Sequence, residues 1–161
     1  MKEIQLTQGK VALVDDVDYE WLNQWKWHIN SCKCNKKYAV RSYKDNGKLI
    51  LVYMHREILH TPKGIDTDHI NGDGLDNRKS NLRACTHMDN ICHQKRTISP
   101  TKSSRFKGVY WHKGDKLWRA KITVNRKIIY LKESKDETKA ALAYNEAATK
   151  YFGEFAILNV L

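Results

Sequence analysis

The sequence predicts an α+β chain: a small N-terminal α+β unit, a strand–loop–strand–helix segment, and a three-stranded antiparallel sheet packed on one helix. Three observations predict it. Apolar and β-branched residues come in short runs parted by Gly, Asn and Asp, the pattern of small antiparallel hairpins. Two capping boxes, Thr86–Asp89 and Ser134–Glu137, start helices that follow strands. Finally, 161 residues with 41% apolar composition and a mean hydropathy of −0.68 suit several modest cores better than one large one.

At the N-terminal end, MKEIQLT and VALVD flank a turn at Gln8-Gly9-Lys10. DDVDYEWLNQW then reads as a short helix, with Asp16 as N-cap and Val17, Trp21 and Trp25 at helical spacing. The strands WHINSC and YAVRSY follow, and Asn46-Gly47 supplies the positive φ angles of a hairpin into KLILVYM. HREILH is a short helix stopped before Pro62. The cluster Trp21, Trp25 and Trp27 reads as core packing.

Residues 64–96 open with a strand ending near His69 and pass through a turn-rich loop. A second strand at LRA leads to a helix from His87. This segment is too small to bury much alone, so it leans on the N-terminal unit. TISPTKSS, residues 97–104, is polar and aperiodic and reads as a linker. Beyond it FKGVYWH, LWRAKITV and RKIIYLK are strands, with Asn125-Arg126 turning the second into the third. Ala140, Ala141, Tyr144, Ala147, Ala148 and Tyr151 form one stripe of a helix that Gly153 stops. The expected organisation is a supporting unit at 1–63, a chemistry-bearing segment at 64–96, the linker at 97–104 and a sheet–helix domain at 105–161.

Charge narrows the partners. The net charge is +11, and a surplus of that size favours a polyanion through counterion release. It is uneven, with +4 over residues 1–65, +1 over 66–103 and +6 over 104–161. The middle segment is nearly neutral because it is rich in Asp, which suits carboxylates that hold a cation. No apolar run is long enough for a membrane span, and the charged MKEIQLTQGK lacks the apolar stretch of a secretory signal. A cytoplasmic location is expected. Cys32, Cys34, Cys85 and Cys92 stand at CxC and Cx6C spacing, unlike paired CxxC zinc ligands, and read as reduced thiols.

Asp68-His69, Asn81 and Asn90 form the set that carries chemistry. A hard divalent cation takes carboxylate, amide, water and phosphate oxygens, and Asp68 on a strand end with Asn90 on the helix could grip one. His69 points to the opposite strand face from Asp68. As a neutral imidazole it could deprotonate a water for attack on phosphorus, with Asn81 holding it in one tautomer. The alternative is that Asp68, Asn71, Asp73, Asp76 and Asn77 are turn formers.

DHINGDGLDNRKSNLR with the later Asn closely resembles the HNH (ββα-metal) endonucleases of phage and intron homing type. The match includes the DH pair, the SNL triplet and the final Asn at their expected separations; MHREIL and LTQGKVALVDDVDYEWL look like the same subgroup. The resemblance implies Asp68 and Asn90 as metal ligands, His69 as general base and Asn81 as its positioner. With Asn as the third letter it implies magnesium or manganese rather than zinc. His87 and His93, on the helix, are candidate auxiliary ligands or phosphate contacts.

FKGVYW, WRAKI and the AAxAYxxAA pattern of the last helix resemble the Apetala-type, ethylene-response-factor DNA-binding domain, which lays a three-stranded sheet into the major groove. Its guanine-reading arginines are mostly absent, with Tyr110 and His112 in their places. Alternation along strands sets Tyr110 and His112, then Arg119, Lys121 and Thr123, then Ile128 and Tyr130, on one sheet face, with Lys107 and Arg126 at its edges. Together these features predict a metal-dependent endonuclease that hydrolyses double-stranded DNA, with no membrane association and no obligatory protein partner. The competing readings are a non-catalytic DNA-binding regulator and an RNA-directed protein.

Overall fold

The computed structural model describes residues 1–31, 36–93 and 103–161, apart from the Cys92 side chain. The chain divides into two compact units, Met1–His87 and Met88–Leu161. Cys32 and Cys34 lie outside the described residues, as does the linker reading for residues 97–102. Among the described residues no helix is long and apolar enough to cross a membrane.

In the first unit, β1 (Lys2–Gln5) and β2 (Val11–Val14) form a hairpin, with Gln8 and Gly9 both at positive φ in its turn. Ile4, Ala12 and Val14 point inward from it. Helix α1 (Asp16–Asn23) differs from expectation in cap and face. Its N-cap is Asp15, one residue earlier than expected, and that carboxylate accepts the backbone N–H of Lys79 at 2.8 Å. Leu22 and Asp18 are the buried positions, while Val17 is 76% exposed. The inward side is the neighbouring stripe of Asp18 and Leu22, with Trp21 partly buried against the same core; Asp18 accepts from Lys79 Nζ at 3.0 Å and Trp21 Nε1 at 3.2 Å.

The three tryptophans part company. Trp27 is buried and donates from Nε1 to the Leu22 carbonyl at 2.8 Å. Trp25, past the helix end, is exposed and stacks with the Arg41 guanidinium 4.5 Å from its ring. Strands β3 (His28–Ser31), β4 (Lys37–Asp45) and β5 (Lys48–Tyr53) make an antiparallel sheet in that order. The β4–β5 turn has Asn46 and Gly47 at positive φ, as that dipeptide predicts. Helix α2 (Met54–Leu59) buries Met54, His55 and Ile58 and ends at His60 in the left-handed region.

Strands β6 (Asp66–His69) and β7 (Leu82–Cys85) pair antiparallel, Asp68 opposite Arg83 and His69 opposite Leu82. Leu82 joins the core formed by Ile4, Val14, Leu22, Trp27, Met54 and Ile58. The loop between the strands is stitched to β2: Leu13 donates to the Leu75 carbonyl at 2.9 Å and accepts from Asn77 N–H at 2.8 Å. Helix α3 (His87–Cys92) follows, starting at the expected residue.

The second unit holds β8 (Val109–His112), β9 (Leu117–Val124) and β10 (Lys127–Ser134) in an antiparallel sheet ordered β10-β9-β8. Helix α4 (Glu137–Phe152) packs on it through Ala140, Ala141, Tyr144, Ala147 and Ala148, against Val109, Ala120 and Ile122. Small residues let helix and sheet approach closely. At Gly108, φ +77°, an added Cβ would lie 2.0 Å from the Tyr144 ring. Two expectations need correction. Asp136, rather than Ser134, is the N-cap, because its carboxylate reaches Thr138 N–H at 2.8 Å while Ser134 closes β10. Tyr151 lies on the exposed side of α4.

Candidate active site

The strand β6 ends in Asp68 and His69, and alternation sends their side chains to opposite faces although both are buried. On one face, Asp68 Oδ2 accepts from Arg83 Nε at 3.0 Å and Nη2 at 2.8 Å. On the other, His69 lies among Asn77, His55 and Tyr38. Its Nε2 is 3.3 Å from Asn77 Oδ1. Its ring centroid is 5.0 Å from that of His55, nearly perpendicular, and 5.9 Å from Tyr38.

Burial pushes the His69 pKa below its ordinary value, opposed by the Asn77 bond and by the charges of Asp68, Asp73 and Asp76. Burial also lowers His55 to about 3, with help from the neighbouring His69 and Arg56. The same desolvation raises Tyr38, reinforced by Asp68. His69 is therefore biased toward neutral imidazole, the form that can accept a proton.

Asn77 is wholly buried, and its Nδ2 donates to the Leu75 carbonyl at 3.1 Å. That bond orients the amide with Oδ1 toward His69. An amide oxygen can only accept, so His69 Nε2 carries the hydrogen and Nδ1 keeps its lone pair.

Asn81 grips the loop rather than the imidazole. Its Oδ1 accepts Asn71 N–H at 3.0 Å, and its Nδ2 donates to Asn71 Oδ1 at 3.1 Å and to the Asp76 carbonyl at 2.7 Å. Its carbonyl accepts Ile70 N–H at 2.9 Å, one residue past His69. Asp76 in turn pairs with Arg78 at 2.6 Å and accepts from Asn71 Nδ2 at 2.9 Å. The Arg78 bond holds the Asp76 carboxyl below its usual range. Asp73 caps the turn for Leu75 N–H at 3.0 Å. The turn-forming role suits these loop residues, and Asn77 adds the contact to His69.

Asp68, His69 and Asn81 thus stand together in the first unit, while Asn90 is half-buried on α3 beyond the unit boundary at His87. His87 Nδ1 lies 2.9 Å from Asp66 Oδ2, and His93 ends the described part of that helix. Three contributors have no signature in the sequence: Asn77, His55 and Tyr38. Asn77 resembles any loop asparagine, and the other two come from α2 and β4 through tertiary packing, which no local spacing signals.

In the second unit, register aligns Tyr110 with Arg119, Lys121 with Tyr130 and Thr123 with Ile128 across the sheet face away from α4. Lys121 Nζ sits 5.1 Å over the Tyr110 ring, and Tyr130 is 70% exposed. Arg119 is flanked by Asp115 and by Glu133, 2.8 Å from Nε, and His112 Nδ1 lies 2.9 Å from Asp115. Arg126 occupies the β9–β10 turn, and Lys107 N–H donates to Asn159 Oδ1 at 2.6 Å.

Residues 60–91, which contain β6, the loop, β7 and most of α3, match the HNH endonuclease family. An uncharacterized HNH endonuclease of Acanthamoeba polyphaga mimivirus is 29% identical over 152 residues, 94% of this chain and 76% of its own. A protein of Escherichia phage T7, named Protein 3.8, is 36% identical over 66 residues, 41% of this chain and 53% of its own. Given a buried Asp-His pair at a strand end, with an asparagine-pinned loop inside the matched segment, residues 60–91 are an HNH endonuclease domain and the enzyme that carries them is a nuclease.

Proposed function

We propose that the chain is a metal-dependent DNA endonuclease, with His69 as general base, Asp68 and Asn90 as cation ligands and Asn81 as the residue that fixes the loop behind His69. The observation that carries this reading is the His69 imidazole, oriented through Asn77 with its Nδ1 lone pair uncommitted to that bond. A buried, neutral imidazole of this kind can take a proton from water, and the water's oxygen then attacks the phosphorus of the scissile phosphate. Asn81, bound to the loop at Asn71 and Asp76 and to Ile70, keeps the strand end from drifting, so the base stays aimed.

Among the described residues no set of three or more His, Cys, Asp or Glu stands close enough to hold a metal ion. The oxygen donors of Asp68 and Asn90 suit a hard cation, magnesium or manganese, that draws most of its ligands from water and phosphate. The Asp68 carboxylate supplies hard oxygen donors of the type such a cation takes, and one of them is paired with Arg83. When bound, such an ion would stabilise negative charge on the phosphate and the leaving oxygen.

The second unit adds DNA affinity in this reading, through Lys107, Tyr110, His112, Arg119, Lys121, Thr123, Arg126 and Tyr130. Linking a binding module to a small active site raises effective concentration without new catalytic contacts. Supercoiled plasmid incubated with magnesium should be nicked or linearised, and chelator should stop it. His69→Ala should lower cleavage by about 10²-fold or more while DNA binding holds. Full cleavage by that variant would remove His69 from its role.

A further inference from the structure

Arg83 faces Asp68 in register across the β6–β7 pair. Its fork is unusual in one respect. A guanidinium normally spreads two parallel N–H groups over both oxygens of a carboxylate, but here Nε and Nη2 both fall on Oδ2, at 3.0 and 2.8 Å. The side chains are largely withdrawn from water, 12% exposed for Arg83 and 5% for Asp68. A full positive charge therefore rests on the carboxylate that the proposed function gives to the divalent cation.

We propose that Arg83 is a latch on the cation site: guanidinium and metal ion compete for Asp68, and the cation loads as Arg83 lets go. The latch rests on Asp68 being a cation ligand. Two positive charges cannot share a desolvated carboxylate oxygen without strong repulsion, since little water screens them. Arg83 in turn does not leave cheaply, because parting a largely buried guanidinium from a buried carboxylate forfeits their ion pair. The anion that the reaction itself brings is a DNA phosphate, whose geometry matches the guanidinium fork. Substrate arrival and cation loading are then coupled, and each tightens the other.

Titrating manganese into the full chain without DNA, with free ion followed by electron paramagnetic resonance, separates the possibilities. Arg83→Gln should bind manganese about tenfold more tightly than the unaltered chain, as expected when a competing charge worth one decade of affinity is removed. Arg83→Lys keeps the charge but loses the fork and should fall between the two. Adding an uncleavable DNA duplex should tighten manganese binding by the unaltered chain and do much less for Arg83→Gln. Thermal melting confirms that each variant is folded. Equal or weaker manganese binding by folded Arg83→Gln overturns the latch; if that variant does not fold, Arg83→Lys decides on the same criterion. Asp68→Asn tests the underlying reading separately: binding as tight as in the unaltered chain would mean that Asp68 is no ligand, whatever Arg83 does.

Discussion

Two imidazoles meet edge to face at the end of β6, and burial has opposite uses for them. In His69 it favours the neutral form that a base needs. In His55 it lowers the pKa from 6.5 to about 3, and Nδ1 is buried without a hydrogen-bond partner among the described residues. The unfolded chain protonates His55 near pH 6.5, whereas the folded chain resists until about pH 3. Stability is therefore fully present above pH 6.5 and declines as pH falls toward 3, by up to about 1.4 kcal/mol per unit. His55→Phe, which keeps the ring and loses the titration, should retain about 2 kcal/mol more of its neutral-pH stability at pH 5 than the unaltered chain retains. Urea unfolding at pH 7 and pH 5 measures the difference; equal declines would sink the assignment. At this scale the sequence is legible where chemistry and local spacing coincide, as in Asp68-His69. It is silent on His55 and Asn77, whose contributions exist only after α2 and the loop have packed.

Elements are easiest to read where backbone geometry demands a residue type. Asn46-Gly47 and Asn125-Arg126 both occupy positive φ, and both are visible as turns. The small-residue stripe of α4 likewise predicts which face meets the sheet. Helix α1 departs from its own pattern: Val17, Trp21 and Trp25 do fall at helical spacing, yet Val17 and Trp25 are exposed and only Trp21 packs on the core, beside the buried Asp18 and Leu22. Gly74 shows how tightly the active-site loop lies on β4. An added Cβ would stand 2.3 Å from the Lys37 carbonyl oxygen and 2.7 Å from the Tyr38 ring. Since backbone cannot yield as a side-chain tip can, Gly74→Ala should cost about 1–3 kcal/mol and displace Tyr38 from its place beside His69. A thermal melt and a cleavage assay on that variant should fall together. Loss of stability with unimpaired cleavage would show that Tyr38 and the loop do not set the aim of the base.

For the whole molecule, the chain divides at His87 and Met88 into two compact units, and in the proposed reading the sheet of the second adds DNA affinity. Residues 104–161 carry 12 basic and 6 acidic side chains. Deleting them should weaken DNA binding and make its salt dependence shallower, the logarithmic slope dropping by roughly one for each DNA phosphate that these side chains neutralise. Some metal-dependent nicking should survive. Affinities measured from 50 to 200 mM salt, a range of about fourfold over which counterion release is readily resolved, would refute the assignment if slope and strength stayed unchanged. The three-stranded sheet and its helix are legible because each strand is strongly patterned. How the middle segment joins the first unit is not, since Asp15, Asp18 and Leu13 reach it from far along the chain. Lys79 takes its backbone partner from Asp15, 64 residues away, and Asn77 takes its own from Leu13. The motif is for that reason not portable: a graft or peptide cut to residues 60–91 would keep every diagnostic letter and lose the floor on which they stand.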